Sequence, residues 1–248
     1  MKYAIFYFSP TGGTKAVADI FSKQLGDAPM QEITTPSMDV ALKDDTLAFF
    51  FFPVYGGRIP KPMYDRMAII KGNNTPCVPV AVFGNRAVDD ALLEMSDLAK
   101  KQGFVTVAGA EIVAPHSIDP SFGAGRPDTS DRAKITEFIN KLKAMESFKE
   151  VRMPGDADYA SKKVTSLPLY PAPAKECIGC GICFNNCPMK AISDVKMKVK
   201  KKACISCMRC IDMCSTSSRH LPKYQEVMAK GMAFAMGGLK KNKPKFYM

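Results

Sequence analysis

Along residues 1–150, apolar and polar positions alternate between the strand period and the helix period. Residues 2–8 form a β-rich run that ends at a Gly-containing turn. Residues 14–25 place Val17, Ile20, Phe21 and Leu25 at helical spacing, with Gly26 positioned to end the helix. Residues 46–54 are continuously apolar, as in a strand buried on both faces. A helix is predicted over 63–70, a third buried strand over 77–83, and a helix over 89–102, ending before Gly103. A strand over 104–113 and a helix over 130–144 follow, the helix with Ser130 or Asp131 as its cap. A weaker strand is predicted at 30–34. This repeated βαβ order predicts a parallel sheet with helices on both faces. No apolar run approaches the roughly 18 residues of a membrane-spanning helix. The apolar stretch 3–8 is too short for a signal-peptide core and leads into a Gly-rich turn, so no signal peptide is expected.

Charge and cysteine divide the 248-residue chain. Residues 1–150 carry 17 Lys+Arg against 18 Asp+Glu, whereas residues 151–248 carry 18 against 6, which accounts for the net +11. Eight of the nine cysteines lie between 177 and 214; only Cys77, inside a predicted strand, stands apart, as a small buried apolar residue. Two modules follow: a domain over 1–152, a Pro- and Gly-bearing tether over 153–174 that packs on one module, a Cys-dense domain over 175–222, and a basic tail over 223–248. Within the tail, 224–236 is predicted as a Met-rich helix and 240–245 as a solvated basic terminus.

In parallel α/β sheets the ligand site lies beyond the carboxyl ends of the strands. Three loops there have unusual content: 9–14, 53–60 and 83–90. In the first, Gly12 and Gly13 let successive amides turn toward one anion, Ser9, Thr11 and Thr14 add hydroxyls, and a helix N-terminus follows. The loop matches neither GxxxxGK[ST] nor GxGxxG, so nucleotide triphosphate and NAD readings are weak.

Directly after the first strand, Ser9-Pro10-Thr11-Gly12-Gly13-Thr14 resembles the phosphate loop of the flavodoxins. The resemblance implies an α/β, flavodoxin-like doubly wound five-stranded parallel sheet that binds FMN. It also implies that Pro53, Val54, Tyr55, Gly56 and Gly57 approach the flavin ring, with Tyr55 the nearest aromatic. Phe83, Gly84 and Asn85 would form the other wall, with Arg86 near its rim. The 83–90 loop departs from the family in offering only Phe83 as an aromatic, so one flavin face is left open or covered by another segment. Core packing is the competing role for Phe83 and Tyr55. His116, after the fifth strand, could also reach the flavin or simply sit at the surface.

The clustered cysteines form an internal repeat. Cys177, Cys180, Cys183 and Cys187 recur 27 residues later as Cys204, Cys207, Cys210 and Cys214, each set reading C-x2-C-x2-C-x3-C. That run is the bacterial two-cluster ferredoxin signature, in which the fourth Cys ligates the other cluster. One 4Fe-4S cluster would take Cys177, Cys180, Cys183 and Cys214; the second would take Cys204, Cys207, Cys210 and Cys187. Gly179, Gly181 and Ser206 are small, as a loop wrapped round a cube requires. Pro188 follows Cys187, but Ser215 takes the equivalent place after Cys214. Disulfides suit a secreted chain, and zinc sites favour paired C-x2-C units, so both are weaker readings.

The whole chain resembles the flavodoxin–ferredoxin fusions of anaerobic microbes: an FMN domain followed by a small α+β, two-cluster ferredoxin-like domain. The resemblance implies an electron-transfer protein that couples a two-electron flavin to one-electron clusters, in a reducing, cytoplasmic and anoxic setting. The alternative is a flavin-dependent reductase of a small acceptor, fed by its own clusters. With about −2 for each cube and about −2 for the FMN phosphate, the loaded protein carries nearer about +5 than +11. Nucleic-acid binding thereby loses its electrostatic support. A basic face over 196–202 and the tail remains, suited to an acidic redox partner such as a small ferredoxin.

Overall fold

The computed structural model describes residues 1–248 except 37, 163–167 and 236–241. Its first part runs β1 (Lys2–Tyr7), α1 (Gly13–Gln24), β2 (Met30–Glu32), β3 (Val40–Ala41), β4 (Thr46–Pro53), α2 (Pro62–Ala68), β5 (Ile70–Lys71), β6 (Thr75–Phe83), α3 (Ala91–Lys101), β7 (Phe104–Thr106), β8 (Gly109–Val113) and α4 (Thr129–Lys143). The parallel strands of the main sheet lie in the order β2-β1-β4-β6-β8. Counted along the chain this is 2-1-3-4-5, the flavodoxin-like winding.

β4 explains how the sheet is held. Its four consecutive phenylalanines alternate faces, as the strand period dictates. Phe49 and Phe51 enter one core with Phe21 and Phe138, from α1 and α4. Phe50 and Phe52 enter the other with Phe6, Phe104 and the apolar faces of α2 and α3. Full burial of each ring contributes about 1.5–3 kcal/mol, which makes β4 the keel of both layers.

Several boundaries differ from the sequence reading. The single strand expected over 104–113 is two, β7 and β8, on the same edge of β6. Cys77 pairs with Thr106 and Val80 with Ala110, so three steps on β6 face four on its neighbour. The extra residue makes a bulge. The freed Thr106 carbonyl accepts from Val151 N (2.8 Å), and Met153 packs so close to Gly109 that a Cβ there would lie 2.3 Å from its sulfur. The helix expected over 63–70 ends at Ala68, because Ile70 joins β5 and pairs with β3 in a separate two-stranded sheet. The cap of α4 is Asp128, not Ser130 or Asp131: Asp128 and Asp131 accept each other's amides (2.9 and 3.0 Å), a reciprocal capping box.

The second part contains β9 (Ala172–Pro173), α5 (Ile182–Asn185), α6 (Arg209–Asp212), β10 (Arg219–His220), α7 (Lys223–Ala235) and β11 (Lys245–Tyr247). β9 and β10 pair antiparallel. The segment from 153 packs on the first part: Met153 is buried, Asp156 N donates to Asp90 Oδ1 (2.9 Å) and Tyr159 OH to Asp97 Oδ2 (2.9 Å). The expected helix over 224–236 is α7, with Met236 outside the described residues.

Lys243 and Lys245 of the stretch expected to be solvated are exposed, yet the backbone from Lys245 onward returns to the sheet. β11 pairs antiparallel with β8 and adds an edge strand to the parallel five. Lys245 pairs with the buried Glu111 (3.1 Å), Tyr247 OH donates to the same carboxylate (2.6 Å), and Phe246 stacks against Phe138 at 4.7 Å. Lys240 and Lys241 lie outside the described residues. Among the described residues no helix is long and apolar enough to cross a membrane.

Candidate functional site

The three strand-end loops meet in one cleft at the carboxyl edge of the sheet, about 1390 Å³ with its open mouth included. Gly12, with φ +80°, turns the chain from β1 into α1 and has no side chain to cap the helix. Ser9 Oγ accepts the amide of Lys15 (3.0 Å), and Ser9 N donates to Thr34 Oγ1 (2.8 Å), which fixes the loop. The amides of Gly13 and Thr14 find no acceptor among the described residues, and α1 carries no acid in its first turn. Ser9, Thr11, Gly13 and Thr14 line the cleft. Unpartnered amides, hydroxyls and the positive end of a helix fit a phosphate.

The second wall is a tight turn. Tyr55 and Arg58 exchange backbone hydrogen bonds (2.9 and 3.2 Å) across Gly56 (φ +60°) and Gly57 (φ +81°). Two consecutive left-handed residues define a type I′ turn, which favours Gly-Gly. At Gly57 a Cβ would also lie 2.3 Å from the Asp89 carboxylate. Beneath the turn, Glu94 is 2% exposed and accepts from Arg58 Nε and Nη2 (2.7 Å each), Ile59 N (3.0 Å) and Tyr64 OH. Burial, then the bond to Glu94, pushes the Tyr64 phenol up to about 12. Arg58 continues to Tyr159 O (2.8 Å) and lies 4.8 Å over its ring. The wall is thus pinned to α3 by one buried carboxylate. Pro53, Val54, Tyr55, Gly56 and Gly57 all line the cleft. Burial holds the Tyr55 phenol well above the usual tyrosine range, and the neighbouring Cys207 sulfur adds to the shift.

The third wall differs in detail from the expectation. Phe83, Gly84 and Arg86 line the cleft; Asn85 does not. Phe83 packs in the core and also lines the cleft. Asn242 takes the Asn85 side chain (3.3 Å) and donates to the carbonyls of Asn85 (2.6 Å) and Arg86 (3.3 Å). Gly84 is required by close approach, since a Cβ there would lie 2.3 Å from the His116 ring. His116 Nδ1 accepts the amides of Ile118 (3.2 Å) and Asp119 (3.4 Å), so the neutral ring carries its proton on Nε2. Burial lowers its pKa and favours that neutral form.

Two contributors to the cleft come from outside the first domain: Ala229 and Met232 from α7, and Ile205 and Ser206 from the second cysteine run. The Met-rich pattern of 224–236 was the only sequence signal for the first, and nothing local signalled the second. Arg209 holds the modules together. Its Nη1 donates to the carbonyls of Ser9 (3.2 Å) and Pro10 (3.3 Å) and pairs with Glu32 (3.4 Å). Arg66, from α2, reaches Pro188 O (3.2 Å).

The eight clustered cysteines gather around two cavities. Cys177, Cys180, Cys183 and Cys214 line one; Cys187, Cys204, Cys207 and Cys210 line the other. The loop geometry repeats with the 27-residue offset: Gly179 and Gly181 have φ +67° and +76°, and Ser206 and Met208 have +54° and +61°. Met208 holds this backbone without a glycine, at a cost of about 1–2 kcal/mol. Amides of Ala191 and Ser206 donate to the sulfurs of Cys187 (3.3 Å) and Cys204 (3.4 Å). No three His, Cys, Asp or Glu side chains among the described residues converge on a single ion; each cavity is instead lined by four cysteines. Cys77 lies apart, fully buried, its thiol pushed up to about 12 by burial.

Residues 174–193, which contain the first cysteine run, match the family described as "4Fe-4S binding domain". The second part thus contains a 4Fe-4S binding motif at its first cysteine run. The flavodoxin-like domain is identified by its strand order and register. A 65-residue stretch is 35% identical to the Escherichia coli (strain K12) protein named "Putative electron transport protein YccM", covering 26% of this chain and 18% of that one. The chain therefore spans less than a fifth of that relative's length. Among solved structures, the Streptococcus pneumonia TIGR4 flavodoxin is similar at 19% identity over 58% of this chain and 99% of its own, with a TM-score of 0.41. The Fusobacterium nucleatum flavodoxin bound to flavin mononucleotide is similar at 15% identity over 60% and 99%, also at 0.41. At these scores the likenesses add nothing to the strand-order argument.

Proposed function

We propose that the protein is an electron-transfer protein that binds FMN in the cleft and two 4Fe-4S clusters in the cysteine cavities. Ser9, Thr11, Gly13 and Thr14 would hold the phosphate, and the turn at Tyr55–Gly57 and the Phe83–Gly84 wall would flank the ring. Cys177, Cys180, Cys183 and Cys214 would bind one cluster; Cys187, Cys204, Cys207 and Cys210 would bind the other. FMN exchanges one or two electrons and each cluster one, so the set couples one-electron and two-electron carriers.

One observation carries the reading: Ile205 and Ser206, between two cysteines of the second cavity, line the same cleft as the phosphate loop. The order of carriers follows from exposure. Cys177 and Cys180 are exposed and Ile178 is 69% exposed, so the first cavity faces external proteins. The second adjoins the cleft, where Arg209 fixes its helix to the phosphate loop. The roof made by Ala229 and Met232 favours electron exchange through the protein over small-molecule turnover, which must admit a second ligand beside the flavin. Protein purified without oxygen is expected to hold about eight Fe and one FMN per chain. Colourless protein with neither group would overturn the reading.

The partner we infer is acidic. Lys196, Lys198, Lys200, Lys201 and Lys202 are exposed beside Met197, which lines the first cavity. Charges on such a face are screened beyond about 10 Å at 0.1 M salt. Reduction of the clusters by an acidic protein donor is therefore expected to slow as salt rises, and stopped-flow rates independent of salt would remove this docking face.

A further inference from the structure

One buried cation has no role in the cleft. Arg219, on β10, is 3% exposed. Its Nη1 lies 3.8 Å from Cys183 Sγ and donates to Met197 O (2.9 Å); its Nη2 donates to Pro171 O (3.0 Å). Its Nε has no hydrogen-bond partner, and no carboxylate pairs with it among the described residues. Arg219 lines the first cavity beside Cys183.

A buried guanidinium without a counter-ion is strongly unfavourable. Four thiolates around each cube supply net negative charge, which offsets this cost. On the two-cluster reading above, we propose that Arg219 is the counter-charge of the cluster held by Cys177, Cys180, Cys183 and Cys214 and that it raises the reduction potential of that cluster. The sign follows from charge. Each reduction adds one electron, taken from the external donor, which is oxidised in exchange. A fixed cation stabilises the more negative, reduced cube more than the oxidised one. Hydrogen bonds to ligand sulfurs act in the same direction, and both are recognised determinants of cluster potential. One buried side chain thus tunes the carrier that faces the external donor.

The test compares wild-type holoprotein with Arg219→Gln and Arg219→Lys, all purified anaerobically, by iron content and by EPR-monitored redox titration. In Arg219→Gln, at fixed ambient potential, the reduced-to-oxidised ratio of the cluster beside Cys183 is expected to fall at least tenfold, about 59 mV for a one-electron couple. Arg219→Lys keeps the charge and loses the planar fork, so its fall is smaller. An iron-replete Arg219→Gln in which neither cluster's ratio moves overturns the proposal. Should Arg219→Gln fail to hold iron, Arg219→Lys decides. Retained iron supports the counter-charge role. Loss in both variants assigns the guanidinium only to its bonds with Met197 and Pro171 and overturns the role. Wild-type protein with well under about eight Fe would instead defeat the two-cluster reading itself.

Discussion

Cys187→Ala is expected to empty the second cysteine cavity and leave the first one loaded, although Cys187 belongs by sequence to the first run. Its sulfur lines the cavity shared with Cys204, Cys207 and Cys210, while Cys214, from the second run, lines the other. Iron should fall from about eight to about four per chain. Double variants separate crossed from uncrossed ligation. Cys187→Ala with Cys207→Ala strikes one cavity twice and should still hold about four Fe, whereas Cys187→Ala with Cys183→Ala strikes both and should hold almost none. The reverse ordering of the two double variants would refute crossed ligation. The functional consequence is equally large. With the second cavity empty, the route from the exposed first cavity to the cleft is broken, so an external donor should still reduce the remaining cluster but bleach the flavin only slowly.

Glu94→Ala is expected to cost about 3–5 kcal/mol of stability, the range for breaking a buried ion pair from one side. For a chain of this size that is a fall of roughly 6–20 °C in melting temperature. The side chain of Glu94 is 3% exposed, and that of its partner Arg58 12%. Removing the carboxylate leaves the guanidinium without its charge partner and strips an acceptor from Ile59 N and Tyr64 OH. These groups sit under the Tyr55–Arg58 turn, so the wall of the cleft loosens with the core. FMN affinity should weaken in parallel, read by fluorescence on release of the flavin. Glu94→Gln, which keeps the shape and one acceptor, should lie between wild type and Glu94→Ala. A melting temperature within about 2 °C of wild type for Glu94→Ala, equivalent to less than about 1 kcal/mol, would mean that Arg58 finds another partner and that the pinning argument is wrong.

Much of the first domain was legible because its signals are local. The four phenylalanines of 49–52 fill both faces of a buried strand, and a continuous apolar run is the mark of such a strand. The 9–14 turn, with its two glycines between a strand and a helix, reads as an anion cradle from residue type alone. The misreadings are also local but depend on neighbours. The bulge between β7 and β8 arises because the 151–153 segment takes the Thr106 carbonyl and presses Met153 on Gly109. The α4 cap moved to Asp128 because Asp131 can reciprocate its hydrogen bond, while Ser130 sits in the middle of the box.

The C-terminal residues illustrate a different limit. A stretch rich in lysine looks solvated, and the Lys245 side chain is 64% exposed, yet its backbone joins the sheet and its amine reaches Glu111 on the partner strand. Asn242 closes over the 83–90 loop from 157 residues away. Hydropathy and charge describe a segment, not the unpaired strand edge that awaits it.

Sequence by itself determined the two modules, the repeated βα order, the three strand-end loops and the eight cysteines at a 27-residue repeat. All of these are encoded by spacing within a few turns of chain. Tertiary structure alone decided that the second cysteine run forms part of the cleft, that α7 roofs it, and that Arg219 lines the first cysteine cavity. The contacts of Arg209 and Arg219 show the reach involved, from Cys183 36 residues away to Ser9 200 residues away. No local pattern records such contacts, because their energy comes from desolvation and geometry that exist only once the chain has closed.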